Sequence, residues 1–185
     1  DADDESLEEW LAHYDDTYQE ADQFDIENLC ADIRSDQELL MELSEKAQSL
    51  SKFKDPKLKE LKIQLIDIIQ SAELNGVDES DKNNKRKVLI FSYFSDTVDW
   101  IFEYLKDVCS PDSKHYDENL SAYKDRIVSV TGSKDKSSVL FGFAPLTTGA
   151  PEGHDDLYDI VVATDVLAEG VNLQQAQHVI NYDLP

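Results

Sequence analysis

The 185 residues carry 40 acidic side chains against 17 basic ones, a net charge of −23, with 41% hydrophobic and 9% aromatic residues. That balance excludes a broad electrostatic nucleic-acid surface, because phosphate binding draws on Lys and Arg; a small local contact, completed by basic surface from elsewhere, stays open. No apolar run reaches the ~18–20 residues of a membrane span and no signal pattern appears. Cys30 and Cys109, like His13, His115, His154 and His178, are too scattered for metal-ligand spacing, so two reduced thiols in an intracellular protein with no protein-held metal are expected.

Charge is uneven along the chain. Residues 1–50 hold 17 acidic and two basic side chains, residues 51–87 hold seven and nine, and residues 88–185 hold 16 and six. An acidic face that keeps the protein in solution is the simplest reading; nucleic-acid charge mimicry is the sharper one.

Residues 4–74 read as helical. Ser6 caps a helix bearing Leu7, Trp10, Leu11, Tyr14 and Tyr18; Asp25 opens a second with Ile26, Leu29, Cys30 and Ile33. Ser35-Asp36 offers a fresh cap for Leu39, Leu40, Leu43, Ala47 and Leu50. Asp55 caps the next helix, Pro56 takes its first position, and Leu58, Leu61, Leu65, Ile66, Ile68 and Ile69 form a wide apolar face that ends at Asn75-Gly76. These apolar faces demand burial. The polar stretch Val77–Lys87 has linker composition. The expected division is therefore an acidic helical segment over 1–76, a linker over 77–86, and a second domain over 87–185.

That second domain alternates strand and helix. Lys87–Phe91 is a short buried strand, Ser92-Tyr93-Phe94 turns, and Ser95 or Asp96 caps a helix with Val98, Ile101, Phe102 and Leu105 on one side. Arg126–Val130 is a strand followed by Thr131-Gly132-Ser133. Ser137–Phe143 is a helix stopped by Pro145, and Thr147–Leu157 is a loop with Gly and Pro. Asp159–Ala163 runs apolar without alternation, as a strand covered on both faces does, and a second buried strand follows at Gln177–Asn181. Repeated β-α-β units imply an α/β fold, a parallel sheet flanked by helices, with ligand chemistry at the carboxyl ends of the strands.

Three segments carry a family resemblance. KVLIFSYFSDTVDWIFEYL (87–105) resembles motif IV of superfamily-two helicases, in particular Swi/Snf-related DNA translocases. VTGS (130–133) sits where that family places a short Thr/Gly element. ATDVLAEGVNLQQAQHVINYDLP, from Ala163, resembles motif V and its following strand. The three stand in the family's order, and the resemblance to the second RecA-like domain covers residues 87–185. DPKLKEL (55–61) is similar to the segment that often precedes it.

The resemblance implies ATP-dependent movement along nucleic acid, with DNA preferred over RNA. It implies contact with the tracked strand by Ser92, Thr131, Gly132, Ser133 and Thr164. Asp165 would couple that contact to the nucleotide, and Gly170, Val171 and Asn172 would lie beside ATP and its Mg. Chemistry is compatible: a Gly lets backbone N–H groups approach a phosphate, and a hydroxyl bonds a phosphate oxygen. An ordinary strand-end turn at 131–133 and an ordinary cap at Ser92 remain the alternatives. Cellular placement would be the cytoplasm with the nucleoid in a bacterium, or the nucleus in a eukaryote.

No GxxxxGK[ST] phosphate loop occurs in the 185 residues, and Arg34, Arg86 and Arg126 stand in no arginine-finger context. No catalytic residue is assigned. The expectation is of a lobe truncated before motif VI, inactive alone, working against a first RecA-like lobe of the same parent. A non-enzymatic RecA-like interaction module is the rival reading. The role of residues 1–74 and of the 147–157 loop is left open by the sequence.

Overall fold

A computed structural model describes residues 25–48, 50–132, 136–164 and 173–183. The chain divides into two units between Leu50 and Ser51.

In the first unit, helix α1 (Ile26–Gln48) runs unbroken. Asp25 opens it, its carboxylate accepting from the Asn28 amide at 3.1 Å. Ser35-Asp36 does not restart the helix as expected. A break there would forfeit backbone hydrogen bonds, whereas propagation adds one per residue. The apolar residues of α1 stay open to solvent, Leu40 at 65% and Ile33 at 56%. The expected helix at Leu7–Tyr18 lies outside the described residues.

The second unit begins with α2 (Pro56–Asn75), started as its sequence dictates. The Asp55 carboxylate accepts from the Lys57 amide at 2.8 Å, Pro56 needs no partner for its missing N–H, and the Gly76 amide returns to Ala72 O. Leu58, Leu61 and Leu65 are buried in the core of the sheet domain. The division expected at 77–86 therefore falls some 30 residues earlier, because the apolar face of α2 is a wall of the α/β core. Nor is 77–86 a linker: Glu79–Lys85 forms a two-turn helix, α3. Asp78 caps it, and Lys85 pairs with Asp81 while reaching back to the Asn75 carbonyl.

The sheet has four parallel strands, β1 (Val88–Phe91), β2 (Ile127–Val130), β3 (Ile160–Ala163) and β4 (His178–Asn181), in the order β2-β3-β1-β4. Alternate residues feed two cores. Val88, Ile90, Ile160 and Val162 pack with α2 and with α4 (Ser95–Cys109), while Leu89, Val130, Val161 and Ala163 pack with α5 (Lys136–Phe143). This is the expected α/β layering. β4 departs from expectation: it is an edge strand, half-covered, with Val179 61% exposed.

Charge closes the amino ends of the strands. Asp159, fully buried just before β3, accepts from Arg86 Nε at 2.6 Å and from Arg126 Nε at 2.8 Å and Nη2 at 2.9 Å. Lys87, also fully buried, donates to Asp156 and to the Tyr158 carbonyl, both at 2.7 Å; burial pushes its ammonium below the usual lysine value. These bonds also hold the end of the 147–157 loop. Its return is fixed by the Leu157 and Tyr158 amides on the Gly142 carbonyl, with the Tyr158 ring so close that a Cβ at Gly142 would meet it at 2.9 Å.

Candidate nucleic-acid interface

Parallel register sets the site. Phe91 and Val130 both align with Ala163, and Phe91 also aligns with Asn181. The residues one step beyond, Thr131, Thr164, Ser92 and Tyr182, therefore form a row across the carboxyl edge, roughly 14 Å wide at the usual strand spacing. Backbone bonds continue the ladder into that row: Ser92 N–H to Ala163 O at 3.0 Å, Thr164 N–H to Val130 O at 3.4 Å, and Tyr182 N–H to Phe91 O at 2.7 Å.

Within the row the predicted residues differ in access. Thr131 and Gly132 are exposed where β2 ends, and Gly132 takes φ +79, a left-handed conformation that a side chain would strain. Thr164 is 9% exposed and Ser92 only 3%. Ser133, Asp165, Gly170, Val171 and Asn172 lie outside the described residues.

Ser92 is engaged inside the protein. Its hydroxyl donates to Asp183 Oδ2 at 2.7 Å, and the Tyr93 amide donates to the same oxygen at 2.7 Å. The Ser92 bond above all holds the Asp183 carboxyl below its ordinary range, with the Tyr93 amide and Lys57 adding to it. The hydroxyl and amide that would serve a phosphate are thus given to a carboxylate of the chain itself. Ser95 and Asp96 do not cap α4. Phe94 holds the cap position with extended backbone and no side-chain bond, its carbonyl accepting from the Thr97 and Val98 amides.

Three features of this corner were not assigned from sequence. Asp183 is the first. Lys57, at the start of α2, is the second: its ammonium lies 3.9 Å from Asp183 and 4.1 Å from the centre of the Tyr182 ring. The third is the pair Tyr93 and Phe94, 72% and 60% exposed. The available signal was two aromatic residues in a turn, where Gly, Asn, Asp and Ser are the usual occupants.

Among the described residues no group of three His, Cys, Asp or Glu could hold a metal ion. No helix among the described residues is long and apolar enough to cross a membrane.

The family model for the helicase conserved C-terminal domain matches residues 60–185, from α2 to the last residue of the chain. No curated protein matches the chain.

Proposed function

Because the chain belongs to the family of helicase conserved C-terminal domains, we propose that it is the second, RecA-like motor lobe of an ATP-dependent DNA helicase or translocase of the Swi/Snf-related kind. The observation that carries this reading is the row of Thr131, Thr164, Ser92 and Tyr182 at the carboxyl edge of the sheet, inside the matched region. That edge is where open parallel sheets bind ligands.

In this reading Thr131 and Gly132 meet the strand, joined by Ser133. The positive φ of Gly132 turns the chain sharply, and among the described residues other than its chain neighbours nothing lies within 4 Å of where a Cβ would stand, so backbone can come close to a phosphate. Thr164 backs that contact. Ser92 acts as a positioning residue, holding the β1 and β4 ends together through Asp183. Asp165 couples strand to nucleotide, and Gly170, Val171 and Asn172 take the nucleotide side. A first lobe bearing a phosphate loop supplies what the 185 residues lack.

DNA-stimulated ATP hydrolysis by the polypeptide that joins this lobe to a phosphate-loop lobe tests the proposal. Stimulation by DNA that falls when Thr131 and Gly132 are replaced is the expected result. ATP hydrolysis indifferent to DNA would overturn it. The 185-residue chain alone is expected to hydrolyse no ATP.

A further inference from the structure

Resting on the reading that this lobe binds nucleic acid, we infer that Tyr93 and Phe94 form a base-stacking step, and that the strand held at this edge presents unpaired bases to it. The two rings stand next to the row, one and two residues beyond Ser92, with centroids 5.2 Å apart and planes at 81°. Both are largely open to solvent, at 72% and 60%. Edge-to-face packing leaves ring surface free to take a base while one ring braces the other.

Their backbone is fixed. The Tyr93 amide is bonded to Asp183, Ser92 is bonded through both its amide and its hydroxyl, and the Phe94 carbonyl begins the α4 hydrogen-bond ladder. The rings are therefore presented in place, which spares a ligand the cost of ordering them.

Charge selects what the rings can hold. Asp183 accepts from the Ser92 hydroxyl and the Tyr93 amide, so the donors beneath Tyr93 are closed to a phosphate at the rings. A base face carries no charge, and every base has a π-face to stack. Lys57, about half exposed beside Asp183, offers a cation for the backbone of the same strand. A paired base is already stacked within its duplex, so the rings fit a single strand.

Fluorescence anisotropy of the 185-residue chain at low salt tests this, with a labelled oligothymidine, an abasic strand of equal length and a blunt duplex as probes. The double substitution Tyr93→Ala, Phe94→Ala is expected to weaken oligothymidine binding about 5- to 150-fold. Tyr93→Phe should keep affinity within about twofold, since the ring face is retained. The abasic strand and the duplex should be bound no less well by the double variant than by the wild type. Thermal melts followed by circular dichroism should coincide, because neither ring is buried.

Unchanged oligothymidine affinity in the double variant overturns the inference and leaves the nucleic-acid reading standing. An equal loss on all three probes overturns it as well, because the rings would then not be reading bases. A double variant that keeps oligothymidine affinity but no longer associates with a phosphate-loop lobe reassigns the rings to a protein contact. A wild-type chain that binds none of the probes overturns this inference, while the nucleic-acid reading is decided separately by DNA-stimulated ATP hydrolysis of the polypeptide that joins the two lobes.

Discussion

At the amino ends of its strands the sheet buries Asp159 and Lys87 and pairs them with the half-buried Arg86 and Arg126 and with Asp156. At the carboxyl ends it leaves Thr131, Gly132, Tyr93 and Phe94 in reach of solvent. Both ends carry bonded charge, but only the carboxyl end also presents exposed groups that the fold does not use. An ion pair sealed from water is costly to break and of little use to a ligand, whereas exposed rings and a left-handed glycine contribute little to the core. The difference separates residues that hold this lobe together from residues available for binding, and it does so without reference to residue type. Arg86 and Arg126, which composition alone would nominate for phosphate, belong to the closed end.

The largest expected effect breaks the closed end. Asp159→Ala should cost about 3–5 kcal/mol, since it removes the buried carboxylate that Arg86 and Arg126 share, leaving Arg126 only its Asp156 bonds, and the urea midpoint should fall accordingly. Next is Tyr123→Phe. The buried Tyr123 hydroxyl donates to the Arg86 carbonyl at 2.9 Å, and an unsatisfied carbonyl there should cost about 1–3 kcal/mol in the same measurement. Neither change should alter nucleic-acid affinity under conditions where the variant is folded.

At the open end the order reverses. Gly132→Ala should cost only about 1 kcal/mol, from backbone strain at φ +79, while weakening DNA binding in anisotropy; a full retention of binding would take Gly132 out of the interface. The smallest effect concerns Asp183, whose side chain is 26% exposed. Its folded-state carboxyl is held below the unfolded value, so its contribution is fully present above pH ~4 and is lost as pH falls through the lower folded value. Wild type and Asp183→Asn should therefore differ by at most about 1 kcal/mol at neutral pH, and their urea midpoints should converge below pH ~4.

Much of this was written locally. Asp55-Pro56 and Asn75-Gly76 mark the two ends of α2, and the apolar runs 88–91, 127–130 and 160–163 mark strands, because capping and burial of short segments depend on neighbours a few residues away. The sequence by itself therefore determined the α/β alternation and the strand ends that carry polar residues. It misjudged α3, where polar composition concealed a capped helix with an Asp81–Lys85 pair, and it treated β4 as covered when strand order leaves it at the edge.

What only the tertiary structure decided rests on pairs far apart in the chain. Arg86 and Asp159 are separated by 73 positions, and Ser92 and Asp183 by 91. No spacing rule reaches so far. Which strand lies beside which is settled by crossover packing, and that order brings Arg86, Arg126 and Asp159 together at one end and Ser92 against Asp183 at the other. The assignment of α2 to the sheet domain has the same origin: its apolar face was plain in the sequence, and only the fold supplied the surface that covers it.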